Sequence, residues 1–226
     1  MSTHQELAGV SDEDLVNRMI SSHGDRFDPI FWDYFADQVA PHMPPEPTMI
    51  DVGCGPGLLL RDLRERFADA SLWGYDITAA MLDYGRNKVS YEGATPHFQH
   101  LDIATQPVPM AAGSVNLLTM VAVLHVLPDP LKVCVEICRL LADDGVFLLQ
   151  DWIRTPLPVY LDRMIDSDLP AEQQAAMRSA MFRLFPAHNK YTIDDWLWVL
   201  QEGGLRVLNH QQLRSPHFCA FVCMKA

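Results

Sequence analysis

The chain has 226 residues, 49% of them hydrophobic, with 17 basic and 29 acidic residues and a formal charge of −12. This is enough apolar chain for one α/β domain with a full core, residues 1–226 as a single unit. Scattered acids without a basic stripe argue against nucleic-acid binding, and no apolar run approaches membrane-spanning length.

Ser11-Asp12-Glu13-Asp14 reads as the start of a helix, a capping serine followed by acids in the first turn. A second helix is expected through Phe31 to Ala36, and Pro41, Pro44, Pro45 and Pro47 then form a stiff connector, so residues 1–47 form an N-terminal helical cap. Strand and helix then alternate. Strands are expected near 48–53, 71–76, 95–100, 115–123 and 145–151, and helices at 57–67, 78–89 and 130–142. Repeated β-α-β units predict a doubly wound, mostly parallel sheet with helices on both faces. Residues 155–190 are rich in Met, Pro and helix formers and interrupt the alternation as a helical insertion after strand five. A helix at 192–203 and strands near 205–213 and 217–225 complete seven strands, the last two as an antiparallel edge hairpin turning around Ser215-Pro216.

The first strand carries the chemistry. Thr48 to Gly57 reads Thr-Met-Ile-Asp-Val-Gly-Cys-Gly-Pro-Gly, and a helical pattern follows at once. A strand, a glycine turn and a helix form a nucleotide crevice at the carboxyl end of a parallel strand. A dinucleotide fingerprint from Gly53 would need a third glycine at position 58, which is Leu58. The spacing is Asp51-x-Gly53-x-Gly55-x-Gly57 instead, and it resembles motif I of the class I S-adenosylmethionine (SAM) dependent methyltransferases.

Further segments carry the same resemblance. Leu124-His125-Val126-Leu127-Pro128-Asp129-Pro130 is similar to the family's run after strand four, and Leu141 to Gly145 to its turn before strand five. The likeness covers roughly residues 48–152, with small departures at Asn116, Val126 and Asp143-Asp144-Gly145. It implies SAM as cofactor, S-adenosylhomocysteine as product, and a cofactor site built from Asp51, Gly53, Cys54, Gly55, Gly57, Asp76, Ile77, Met81, Asp102, Ile103 and Val121. Asp76 ends strand two, 19 residues after Gly57, where an acid can accept from both ribose hydroxyls; a plain helix cap is the alternative. Asp102 could accept from the adenine amino group with Ile103 against the ring, or serve as an ordinary loop acid.

His125 lies at the carboxyl end of strand four, where an imidazole can take a proton from a nucleophile near neutral pH; the alternative is a histidine that only shapes the pocket. Tyr34, Trp152, Arg154 and Met164 are expected to border the substrate. The insertion, with Met164, Met177, Met181, Phe182 and Phe185, reads as ordinary helix packing or as a lid over an apolar pocket. Asp129 and Asp151 would suit a metal, but the Asp-Asn pair of catechol-type enzymes is missing after strand five, so none is expected. The five cysteines lack a C-x-x-C and fit a reduced protein with core thiols.

The expected activity is methyl transfer from SAM to an O, N or C nucleophile of a small molecule, such as a natural-product intermediate. A non-catalytic SAM-binding regulator or partner protein is the alternative. The acidic balance favours a neutral or cationic substrate over an anionic polymer. Met1 to Glu6 has neither a basic nor an apolar signal region, so a cytoplasmic monomer or homodimer is expected.

Overall fold

Five runs of the sequence are apolar enough to be buried on both faces or nearly so, and in the computed structural model, which describes residues 11–226, they build the centre of one sheet. The strands are β1 Thr48–Val52, β2 Ser71–Asp76, β3 His97–His100, β4 Val115–Val121, β5 Leu141–Trp152, β6 Leu205–Gln211 and β7 Phe218–Lys225. Their order is β3-β2-β1-β4-β5-β7-β6. The first five pair in parallel, and β7 runs antiparallel to both neighbours. Strands β4 and β5 read as continuous hydrophobic stretches because helices cover both faces, as parallel sheets require.

One face packs against α6 Pro130–Leu140 and α9 Ile193–Glu202, through Ile137, Leu140, Trp196 and Leu200. The other packs against α3 Pro29–Gln38 and α4 Leu58–Arg66, through Phe31, Phe35, Leu60 and Leu63. The N-terminal cap also includes α1 Asp12–Ser21, with the Ser11 capping box in place, and a one-turn α2 His23–Arg26 that the sequence pattern did not announce. His23 clamps α2 to α4 through Asp62 at 2.7 Å, while Leu15 and Val16 of α1 pack on Met81 of α5 Ala79–Lys88. The insertion comprises α7 Leu157–Met164 and α8 Ala171–His188.

The differences from the sequence reading are local. β4 stops at Val121, because Ala122 adopts φ +57° while its N–H still bonds the Gln150 carbonyl at 2.8 Å. A short 3₁₀ turn, Leu124–Val126, follows. β5 starts at Leu141, earlier than expected, and a bulge opposite β4 between Val115 and Leu117 absorbs the extra residues. The closing hairpin places β7 inside the sheet, so only β6 is an edge. The cysteines of the described residues are all free thiols. Met1 to Glu6, read above for a signal region, lies outside the described residues.

Candidate functional site

The glycine turn is shaped by what surrounds it. Gly53 and Cys54 both donate to the Tyr75 carbonyl, at 2.7 and 3.1 Å, which ties the end of β1 to β2. Gly53, Gly55 and Gly57 all have positive φ. At Gly53 and Gly57 a Cβ would collide with Val123 at 2.2 Å and with Phe98 and Tyr91 at 2.7 Å. At Gly55 a Cβ would meet nothing within 4 Å. Two of the glycines are therefore required by packing, and the central one leaves its backbone open to an approaching ligand.

Asp76 closes the turn from β2. Its Oδ2 accepts from the Gly55 N–H and its Oδ1 from the Thr78 N–H, both at 2.8 Å. Each carboxylate oxygen has a second lone pair. Burial raises its pKa, against the pull of those two N–H groups. The ribose and capping readings are not exclusive: Asp76 orders the turn before α5 and still presents acceptors at the strand tip. Beside it Ile77 is 41% exposed, an uncovered apolar side chain at the carboxyl edge.

Asp51 is buried on β1 and accepts from the Thr119 hydroxyl at 2.7 Å. Burial is the main reason its pKa rises to about 7; Thr119 opposes the rise and the Asp76 charge adds to it. Cys54 and Val121 are buried on the same sheet face. Met81 sits beneath α1, and Ile103 packs in the opposite core cluster. Asp102 binds its own turn, accepting from the Ala104 N–H and the Thr105 hydroxyl at 3.0 Å each.

His125 is fully buried in the turn after β4. Its Nδ1 lies 2.7 Å from Asp151 Oδ1, and its backbone N–H donates to Asp151 Oδ2 at 3.0 Å. The backbone N–H of Trp152 donates to Asp151 as well, at 2.7 Å. The carboxylate thus holds the ring and the turn together and assigns the proton to Nδ1. The sequence reading missed this partnership; the signal was Gln150-Asp151, two polar residues in an otherwise apolar strand. Asp129, by contrast, caps α6 through the Lys132 N–H at 3.0 Å. Among the described residues no group of three or more His, Cys, Asp or Glu could hold a metal ion.

The insertion lies over His125. His188 of α8 stacks on Trp152 at 4.0 Å and meets the His125 ring edge-on at 5.6 Å. The Tyr160 hydroxyl is 2.8 Å from His188 Nδ1. Of the expected substrate residues, Trp152 belongs to this cluster and Met164 is half-buried at the end of α7. Arg154 instead bonds the carbonyls of Asn189 and Lys190, fastening the exit of the insertion. The Tyr34 hydroxyl donates to Asn209 of β6 at 3.0 Å.

Residues 50–149 match the methyltransferase domain family. By family, the chain is a class I, SAM-dependent methyltransferase. A SAM-dependent methyltransferase from Aquifex aeolicus superposes with a TM-score of 0.64 at 18% identity, over 96% of this chain and all of that one, a likeness of fold. Among curated proteins, the polyketide synthase ThaQ of Burkholderia thailandensis is 32% identical over 127 residues, 55% of this chain. The ubiquinone biosynthesis O-methyltransferase of Haemophilus ducreyi is 31% identical over 110 residues, 47% of this chain. The matches span only 6% and 46% of those two proteins. The methyltransferase domain thus coincides with β1 to β5, the part of the sheet that carries the glycine turn, Asp76 and His125. No helix among the described residues is long and apolar enough to cross a membrane.

Proposed function

We propose that the chain transfers a methyl group from SAM to an O, N or C nucleophile of a small molecule by in-line displacement. The observation that carries this reading is the glycine turn with its open Gly55 facing the Asp76 carboxylate, one strand from a buried His125–Asp151 pair. The residues present fit the cofactor: an open backbone cradle, an acid with acceptors at the strand tip, an exposed Ile77 for a ring, and a buried carboxyl at Asp51 for a cation. Asp51, Gly53, Cys54, Gly55, Gly57, Asp76 and Ile77 would hold it, with Val121 and Met81 as apolar backing and Asp102 and Ile103 at the adenine end.

When bound, the sulfonium supplies a methyl group already activated for transfer. The protein's own share is alignment and exclusion of water, and alignment alone can lower a barrier by about 7–11 kcal/mol. Asp151 fixes the His125 tautomer, which makes Nε2 the basic nitrogen that takes the acceptor's proton. The imidazole is buried under Trp152 and His188, so the insertion must move before an acceptor reaches it. Trp152 and Met164 border the acceptor, and Tyr34 and Arg154 frame its pocket through their bonds to β6 and the insertion.

Calorimetry tests the reading. S-adenosylhomocysteine is expected to bind in the micromolar range and NAD not at all. NAD binding without S-adenosylhomocysteine binding would refute it.

A further inference from the structure

A narrow cleft opens beside the end of β5, on the sheet face that carries Cys54 and Val121. Its enclosed volume is about 10 Å³, room for one water-sized group. It is lined by Arg26, Asp28, Phe31, Gln150, Arg214 and Phe218, among others. Gln150 is the register partner of Val121 on one side and Ala220 on the other. Neighbouring strands lie roughly 5 Å apart, so the cleft sits one strand from the end of β4 and two from the glycine turn. That is the distance at which an acceptor would lie beside a methyl donor held on β1.

Two features of this cleft are unexplained by the fold. The Gln150 side chain is 6% exposed, and its Oε1 is buried without a hydrogen-bond partner among the described residues. A buried unpaired amide is costly, and native proteins keep few of them. The second feature is charge. Arg26 is half-buried and donates only to neutral acceptors, Ser22 Oγ and Met19 Sδ. Arg214 pairs with Asp28 Oδ2 at 3.2 Å, while Asp28 Oδ1 caps α3 through the Phe31 N–H. Two guanidinium groups thus share one carboxylate, and a positive charge is left over. Burial depresses the Arg26 pKa, opposed by the exposed Asp25, yet a guanidinium remains charged.

We infer that this cleft receives the carboxylate of the methyl acceptor, which makes the acceptor a small organic acid. A carboxylate supplies the missing negative charge, and the Gln150 amide, turned to present its NH₂, completes its hydrogen bonds. The cleft is too narrow for a bulky tetrahedral anion, and Phe31 and Phe218 give the carbon skeleton apolar walls. The local surplus of positive charge reverses the preference for a neutral or cationic substrate that the −12 net charge suggests. The inference rests on the methyltransferase reading.

Benzoate and hexanoate, their two amides, and phenyl phosphate serve as probes. They are titrated by calorimetry into the full chain saturated with S-adenosylhomocysteine. The acids are expected to bind roughly 10- to 100-fold more tightly than the amides. Arg26→Gln and Arg214→Gln should each remove most of that preference while S-adenosylhomocysteine still binds, and Arg26→Lys should restore part of it. Equal binding of acid and amide to the wild type overturns the inference, as does a preference that survives both Gln variants. Phenyl phosphate binding more tightly than benzoate replaces the carboxylate with a phosphate and also overturns it. Failure of S-adenosylhomocysteine to bind counts against the methyltransferase reading instead, and the acid–amide comparison in the unliganded chain then decides the cleft alone.

Discussion

Two buried acids do different work at the same sheet edge. Asp51 has its pKa raised to about 7, mainly by burial, and the unfolded chain would titrate it near 3.8. Its contribution to stability is therefore fully present below about pH 4 and is lost as pH rises through about 7. Asp51→Asn keeps an acceptor for Thr119 and removes this dependence. It should be more stable than the wild type at pH 8, by at most about 4 kcal/mol, and equal at pH 4, as read by urea denaturation. A cationic ligand favours the ionised carboxyl, so SAM affinity should rise between pH 6 and 8 in the wild type and stay flat in the variant. The second acid, Asp151, acts through His125. Asp151→Asn and His125→Gln should each lower kcat by roughly 10²–10⁴-fold with SAM affinity intact, and the pH–rate profile should lose its acidic limb. Near wild-type turnover in His125→Gln would make the histidine a positioning group.

At the scale of elements, the glycine turn and the insertion differ in how tightly they are built. Gly57→Ala forces a Cβ against Phe98 and Tyr91 at φ +75°, and should destabilise the fold measurably. Gly55→Ala meets no neighbour, so its stability cost is only the left-handed backbone, about 1–2 kcal/mol. Its larger effect should be on SAM binding, because the added methyl group projects where the ligand is proposed to lie. Thermal melts and calorimetry on both variants separate these outcomes. The insertion has few anchors: only Tyr160 in α7, and Leu184 and His188 in α8, are buried. Amide hydrogen exchange should therefore be faster across residues 157–188 than in β1, β4 and β5, and Arg154→Ala should raise it further. Uniform protection across the insertion would make it scaffold rather than lid.

For the whole molecule, ligand binding is coupled to folding because the cofactor site is spread over β1, β2 and β4. A ligand at 100 times its Kd adds about 2.7 kcal/mol to stability. For a domain of this size, S-adenosylhomocysteine at that concentration should raise Tm by about 5–10 °C, and NAD should leave it unchanged. Differential scanning calorimetry reads both. The clamps that join the N-terminal cap to the sheet are His23–Asp62 and the packing of α1 on Met81, so any coupling between acceptor and cofactor would pass through this cap.

The sequence alone determined the αβ alternation, the glycine turn and the acid that closes it. These are local: strand periodicity, residues able to take positive φ, and a carboxylate at a strand tip all lie within a few dozen residues. It also located His125, since the strand-four run is contiguous. Other features joined distant residues and waited for the tertiary structure. His125 met Asp151 only because β4 and β5 lie side by side, and Gln150 became a buried amide for the same reason. Tyr34 and Arg154 looked like pocket residues by position, but their polar atoms are engaged by Asn209 and by the end of the insertion. Arg26 and Arg214, 188 residues apart, line one cleft only after α2, α3 and the β6–β7 connection close over the end of β5. Net charge pointed away from an anionic partner; local charge depends on which side chains share a cavity, and only packing decides that.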